Sequence, residues 1–283
     1  MADEPKASIV IPTRRRPGYL DVALRSIAPQ AAQLSAEVII VSDGDDATTR
    51  DVAARHGARL VALDPPQGAN AARNAGVAAS TSDLVVFSDD DVQAPEGWLH
   101  AVLAGADSAP GVDVFGGPIR ACLEGGGPRA CGREGAPITT LDLGPVDRDV
   151  ALVWSANLAI RRRALERVGP FDESLHGRGE EEEWERRYTA AGGVIRYLAA
   201  AGLQHRRTAV DARVGRLARA AYALGQSARA YDVRKGTAPS PRAELRVLVG
   251  LAWHVARRRC AVGLVLFAHA AGRLRALLAE RAA

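Results

Sequence analysis

Cysteine is scarce in this chain: Cys122, Cys131 and Cys260 are its three copies, and no C-x-x-C pair occurs among them. An odd, scattered set predicts neither a disulfide framework nor a zinc site, and a reducing cytoplasm is the compartment it fits. A secretory signal is not expected, because residues 1–6 are polar and the apolar run 9–11 is too short for one. The apolar run 260–272 falls short of the ~20 residues that cross a bilayer. Neither G-x-G-x-x-G nor the P-loop pattern occurs, which disfavours a dinucleotide enzyme or a phosphate-loop NTPase. Aromatic residues are sparse in the last quarter, so stacking on bases has little support and nucleic acid is an unlikely partner there.

What is present is enough for a full core. A chain of 283 residues, 47% of them hydrophobic, supports either one large α/β domain or a domain with an appendage. The net charge of +4 hides an asymmetry: residues 206–283 hold 16 basic and 4 acidic side chains (+12), the remainder 21 and 29 (−8). A segment this basic suits an anionic partner such as a membrane surface, and equally a solvated arginine-rich helix face.

The first half alternates short β-branched runs with helical spacing. Strands are expected at 8–11, ended by Pro12, then at 37–42, 59–63 and 84–88, with a helix over 17–28 carrying Leu20, Leu24 and Ile27 on one face. Another helix opens at the turn of Gly68. Such β-α-β units build a parallel sheet with ligands at the carboxyl ends of its strands. Three of those ends carry Thr13 to Arg16, Asp43 to Asp46, and Asp89-Asp90-Asp91. Adjacent acids repel unless a cation neutralises them or water solvates them fully. Arg73, in the helix after Gly68, is a candidate anion donor; the competing reading is a small-residue helix packed on the sheet.

Further on, a helix is expected over 98–106 and a strand over 112–116, then a mobile glycine- and proline-rich excursion over 116–135. An apolar stretch spans 153–160, a helix runs through Val168, and an edge strand covers 194–199. Glu180 to Glu183 open a helix ending near Ala191. Acids suit the first turn of a helix, yet four beside Trp184 exceed what capping requires, and one of them is a candidate general base. A lone histidine such as His205 is more often structural than a ligand.

Taken together, residues 8 to about 205 resemble the family 2 glycosyltransferases. Val10-Ile11-Pro12-Thr13 with Arg16 looks like the opening strand and loop, and Val41-Ser42-Asp43-Gly44 like the second strand with its nucleotide-binding acid. Ala72-Arg73-Asn74-Ala75-Gly76 is similar to the A-R-N-x-G element, and Asp89-Asp90-Asp91 stands in place of D-x-D. Ala156-Asn157-Leu158 resembles the acceptor-side segment, and Gly179 to Trp184 with Arg187 the G-E-D-x-[DE]-[LW] element. The resemblance implies an α/β GT-A nucleotide-diphospho-sugar transferase fold, a mixed, mainly parallel sheet flanked by helices with a C-terminal helical extension. Its catalytic domain would span 1–210 (donor half about 1–115, acceptor half about 116–210), and the basic extension 211–283.

The implied activity is inverting transfer of a sugar from a nucleoside diphosphate sugar (UDP-, dTDP- or GDP-linked) to an acceptor hydroxyl. Pro12, Thr13, Arg16, Asp43, Arg73, Asn74, Asp89 and Asp90 fall on the donor side; Trp154, Asn157 and Trp184 fall on the acceptor side. A divalent cation, Mg²⁺ or Mn²⁺, would be held by Asp91, Asp89 and His205. Glu181 stands where the family has a catalytic aspartate, with Glu180 and Glu183 as alternatives. That departure leaves open a second reading, a nucleotide-sugar-binding scaffold of the same fold without turnover.

The tail is expected to form helices over 214–230 and 243–280, separated by 235–241. Its run 260–272, flanked by Arg257-Arg258-Arg259, Arg273 and Arg275, suits an interfacial position at the inner face of a membrane. Packing of the tail on the catalytic domain, or on a second copy as a homodimer, is the equal alternative.

Overall fold

The computed structural model describes residues 4–131 and 137–281. Residues 132–135 of the expected mobile excursion and the last two residues of the extension lie outside them. Two compact units divide the chain: the first runs to Arg120 and takes in Thr140–Leu175 and Glu180–His205, and the second comprises Ala121–Thr139, His176–Gly179 and Arg206–Ala283.

The first unit opens with β1 (Ser8–Thr13), α1 (Pro17–Gln33), β2 (Glu37–Asp43), α2 (Ala47–Arg55), β3 (Arg59–Leu63), α3 (Ala69–Ala79) and β4 (Leu84–Ser88). β5 (Val92–Gln93), α4 (Trp98–Ser108), β6 (Val114–Gly116), β7 (Ile119–Leu123), β8 (Arg148–Val150) and β9 (Asn157–Arg161) follow. α5 (Arg162–Val168), α6 (Glu180–Ala190), β10 (Ile195–Tyr197) and β11 (Leu203–Arg207) come next, β7 from Ala121 and β11 from Arg206 being assigned to the second unit. An eight-stranded sheet orders β3-β2-β1-β4-β9-β6-β10-β8, and a three-stranded ribbon orders β5-β11-β7. Strands β3, β2, β1 and β4 run parallel, β9 is antiparallel to both β4 and β6, and β10 is parallel to β6.

Period-2 alternation sorts these strands onto two cores. Ile9, Ile11, Ile40 and Val86 belong to one apolar cluster, while Val10, Ile39, Val41, Val85 and Phe87 belong to the other. A sheet buried on both faces needs uninterrupted apolar strands, which is why these runs carry no polar alternation. Helix α3 approaches β1 so closely that a Cβ on Gly76 would lie 2.2 Å from Val10 Cγ1. That contact gives the glycine of A-R-N-x-G its packing reason.

Several boundaries differ from the sequence expectations, each for a physical reason. β1 continues through Pro12, which pairs with Val41, because β4 pairs only with Ser8 to Val10 and no ladder bond is required of the proline on that side. α1 passes Pro29 and reaches Gln33, anchored by the Gln30 side chain, which donates to Pro95 O (3.0 Å) and accepts from Leu99 N (3.2 Å). The excursion after Gly116 contains strand β7. β10 is not an edge strand, since β8 pairs along its outer side.

In the second unit the expected helix over 243–280 is two helices. After α7 (Val214–Arg234), α8 (Pro241–Arg258) ends where Arg259 turns left-handed, and Cys260 caps α9 (Ala261–Glu280) by accepting from Gly263 N. Helix α9 is 20 residues and apolar enough by length and composition to cross a membrane, so the shortfall read from the run 260–272 does not hold for the helix. A core helix passes the same test, and α9 buries Val262, Val265, Ala270 and Leu277. Gly225 and Gly272 let α7 and α9 touch: a Cβ on either would lie within about 2.1 Å of a carbonyl oxygen, His269 O or Tyr222 O.

Cys131 and Cys260 form a disulfide with Cα atoms 5.8 Å apart. This corrects the expectation of no disulfide and removes the cysteine argument for a reducing compartment. The pair is 129 residues apart in sequence, a separation without any local motif.

The three helices share an ionic network centred on buried Glu244 and Arg229. Glu244 accepts from Arg273 (2.7 Å) and lies 3.5 Å from Arg229; Arg229 also pairs with Glu280 (3.0 Å), and Arg273 with Asp232 (2.9 Å). Removing a shared buried carboxylate leaves charge uncompensated. Because each arginine keeps one acid, Glu244→Ala should lower the unfolding free energy by about 3 kcal/mol, the low end for such pairs. Urea titration followed by circular dichroism measures it; a change within ~0.5 kcal/mol, typical of neutral surface positions, would contradict the network's role.

Candidate active site

The carboxyl end of β4 delivers Asp89, and the turn that follows the strand carries Asp90 and Asp91. Asp90 points back to β1, where Thr13 Oγ1 (2.7 Å) and Arg16 Nη1 (2.7 Å) donate to it. Arg16 bridges onward to Asp91 Oδ2 (2.7 Å) and stacks over Tyr19, 4.4 Å from the ring centre. Asp91 and Asp89 share the other side. There His205 Nε2 lies 3.1 Å from Asp91 Oδ1, and one donor atom each from Asp89, Asp91 and His205 falls within 4.8 Å of the others. Register explains the histidine: β11 pairs antiparallel with β5, placing His205 opposite Val92, one residue past Asp91.

Electrostatics mark the cluster as strained. Burial, reinforced by Asp91 and Asp89 against the pull of Arg16, pushes the Asp90 carboxyl up to about 7. Burial and the charge of Asp91 likewise raise Asp89. Arg16 is held more firmly charged than a free guanidinium: burial opposes its charge, and Asp91 and Asp90 outweigh that.

A second group assembles around Arg73, which is buried on α3. It donates to Asn70 Oδ1 (2.7 Å), Glu180 Oε2 (3.0 Å) and Ser155 Oγ (2.9 Å). Burial opposes its charge, but Glu181, Glu180 and Asp89 raise its pKa overall. Since Glu181 also acts on the Asp89 carboxyl, Arg73, Glu181 and Asp89 are within electrostatic reach of one another.

The four consecutive glutamates do different things. Glu180 is buried in the ion pair with Arg73. Glu183 is gripped by Arg187 through two bonds (2.8 and 3.0 Å), and Arg187 also donates to Val168 O and Pro170 O, so this pair fastens α6 to the preceding turn. Glu182 is buried beside Arg186 (4.0 Å). Glu181 is half-exposed and takes only a long contact from Ser155 N (3.5 Å) among the described residues.

Other predicted residues are brought elsewhere. Asp43 accepts from Gln67 N (2.5 Å) and Gly68 N (3.1 Å), fixing the loop that opens α3, and lies 3.6 Å from Arg14. Pro12 is half-buried within β1. Asn74 clamps the turn at Phe171, donating to its carbonyl and accepting from its amide (both 3.0 Å). Asn157 accepts from Trp98 Nε1 (3.0 Å) and donates to Ala201 O (2.7 Å) and Pro118 O (3.2 Å), so its amide is spent inside the fold. Trp184 is fully buried, stacked on Tyr188 with centroids 5.5 Å apart and bonded to Gly169 O. Trp154 is half-buried and donates to Thr140 O (3.3 Å).

Sequence reasoning missed Asn70, Ser155 and Glu185. Asn70 stands three residues before Arg73 on one helix face, a spacing that signals contact. Glu185 is fully buried, its two oxygens 3.3 and 3.4 Å from Val153 N, and burial together with Glu181 and Glu182 raises its pKa well above the ordinary value. A raised folded pKa means the native state holds the proton more tightly, so this group costs stability as pH rises above the ordinary glutamate value of about 4.3. Glu185→Gln should therefore stabilise the chain more at pH 8 than at pH 5, measured by urea unfolding at both; an equal or reversed difference would contradict a protonated Glu185.

Residues 8–169 match the profile described as Glycosyl transferase family 2. The pre-mycofactocin glycosyltransferase of Mycobacterium tuberculosis is 33% identical over 207 residues, covering 70% of this chain and 42% of that protein. Glycosyltransferase AglE of Haloferax volcanii is 28% identical over 194 residues, covering 66% of this chain and 62% of that one. The chain thus spans less than two thirds of the length of these relatives. Among solved structures, the mannosyltransferase PcManGT of Pyrobaculum calidifontis, in complex with GDP-Man and Mn²⁺, shares the fold with a TM-score of 0.57 at 17% identity, over 96% of this chain and 88% of that one. TarS of S. aureus matches with a TM-score of 0.53 at 19% identity, over 78% and 39%.

Proposed function

The chain belongs to glycosyl transferase family 2, and from that premise we propose that it is an inverting glycosyltransferase moving a sugar from a nucleoside diphosphate sugar to an acceptor hydroxyl, with Glu181 as general base. The observation that carries this reading is the division of labour in α6. Three of its first four acids are buried or tied into ion pairs, and Glu181, half-exposed and without an ion pair among the described residues, is within electrostatic reach of Asp89 and Arg73. Residues 1–210 are the proposed catalytic portion.

Two carboxylates and an imidazole with mutually close donor atoms suit a divalent cation such as Mg²⁺ or Mn²⁺, so Asp89, Asp91 and His205 are the proposed holders. When bound, such a cation supplies positive charge to the diphosphate of the donor and of the departing nucleotide. The GDP-Man and Mn²⁺ complex of a fold neighbour supports that choice of ligands. Arg16 fixes Asp90 and Asp91, and Arg73 places its charge beside Glu181. The Glu181 carboxylate takes the proton of the acceptor hydroxyl as that oxygen attacks C1. The bond from C1 to the phosphate oxygen breaks with its electron pair leaving on the nucleoside diphosphate, and the anomeric centre inverts.

Donor identity is tested by thermal denaturation with a panel of nucleotide sugars, with and without Mn²⁺. A donor at a hundred times its Kd adds about 2.7 kcal/mol, a shift of several degrees. We expect one nucleotide class to stabilise the protein, and more strongly with the cation. Stabilisation by none would overturn the donor assignment.

A further inference from the structure

We propose that the outer face of α8 is a docking surface for an anionic lipid membrane. In the second unit α8 lies against its neighbours through a narrow side: Glu244 is its buried residue, Leu248, Leu251 and Val255 are half-buried, and Gly263 of α9 is packed on Val255. The opposite side is open. Leu245, Val249 and Trp253 follow one another at four-residue spacing and are 51%, 59% and 67% exposed. Ala252 and Ala256 are exposed beside them, and at 100° per residue the five positions fill one arc about 100° wide. An apolar stripe on a water-facing helix costs free energy in solution, and a mid-stripe tryptophan at such exposure suits a partner that is apolar below and wet above.

Charge decides which partner. Arg242, Arg246 and Arg257 border the stripe, with Arg258 and Arg259 at its end; all five are exposed, and none has an ion-pair partner among the described residues. The four acids of residues 206–283 are engaged within the unit: Asp232, Glu244 and Glu280 in the ionic network, and Asp211 with Thr208. The helix dipole accounts for cations in the last turn but disfavours Arg242 and Arg246 in the first turns, so those two need another reason. A second copy would bring the same uncompensated positive charge against this one, since the segment carries +12. Nucleic acid would match the charge and could stack a base on Trp253, but it would leave Leu245 and Val249 without a role. An anionic bilayer satisfies both, taking the stripe into its interface and the guanidinium groups among its headgroups. The sequence placed such contact at residues 260–272; in the fold that run is largely occupied against α7 and α8, and α8 carries the open face.

The full chain tests this by co-sedimentation with phosphatidylglycerol-containing vesicles, with pure phosphatidylcholine vesicles as comparison. We expect binding to the anionic vesicles that falls with salt, none to the zwitterionic ones, and a blue shift of tryptophan emission lost in Trp253→Phe, the other three tryptophans being buried or half-buried. Replacing Arg242, Arg246 and Arg257 by Gln should weaken binding by roughly a hundredfold, at the usual contribution of each cation near a charged membrane. Val249→Ser with Trp253→Ser should do so without changing the circular dichroism melt. Failure to bind anionic vesicles would overturn the proposal. So would binding insensitive to these variants, or a concentration-dependent dimer that they abolish. None of these readouts depends on sugar transfer, so a failed donor assignment leaves this test intact.

Discussion

Glu181→Gln is expected to reduce sugar transfer by roughly 10²–10⁴-fold while leaving the dissociation constant of the donor within about twofold, because a positioned base contributes that much to rate and nothing to nucleotide contacts. The substitution keeps the side-chain shape and removes the proton acceptor. Its neighbours separate the base from mere acidity. Glu180→Gln removes the charge of a buried ion pair with Arg73, so its loss should appear in stability as well as rate. Glu183→Gln loosens a tie between α6 and the turn at Val168 to Pro170, with a smaller effect on rate. Parallel measurements of kcat, donor Kd and urea unfolding distinguish the three. If Glu181→Gln keeps nearly full activity, the base lies elsewhere in the run.

The second large effect is expected at Asp91. Asp91→Asn should abolish the Mn²⁺-dependent part of donor binding, a loss of at least roughly a hundredfold, since disturbing even an outer-shell partner of a metal ligand costs 10–100-fold. Arg16 would lose one of its two acids but keep Asp90, bonded also to Thr13, so the fold around β1 should persist. Calorimetric titration of the donor with and without Mn²⁺ measures the effect. Identical binding by wild type and variant under both conditions would contradict a metal role for Asp91.

The parallel half of the fold was legible because its physics is local and repetitive. Strands buried on two faces must be apolar throughout, and β1, β2 and β4 stand where 8–11, 37–42 and 84–88 were read; β3, a half-exposed edge strand, keeps the expected bounds 59–63. What escaped depends on distant partners. The role of β8 beside β10, the join of Cys131 to Cys260 and the break of the tail at Arg259 are each fixed by residues far away in sequence or by one left-handed residue without a glycine signal. The candidate site divides the same way. Its acids and Arg73 announced themselves as charge at strand and helix ends. Which glutamates are tied into ion pairs could be read only from the positions of Arg73 and Arg187, which hold Glu180 and Glu183.

Similar logic explains Asn157 and Trp184. Both sit in segments that resemble the acceptor side, and both side chains are consumed by the scaffold, one bridging Trp98, Pro118 and Ala201, the other packed between Phe171 and Tyr188. A sequence resemblance locates a segment, whereas the hydrogen-bonding capacity of each side chain determines what it can still offer a ligand.

The central claim is inverting transfer with Glu181 as base, and one measurement bears on it most directly. The full chain is incubated with the stabilising nucleotide sugar, a divalent cation and an acceptor alcohol, and nuclear magnetic resonance follows both release of nucleoside diphosphate and the anomeric configuration of the product. The account predicts cation-dependent release, a product anomer opposite to that of the donor, and near-complete loss of both signals in Glu181→Gln. A donor that binds but is never turned over, or a product that retains the donor's configuration, would contradict it.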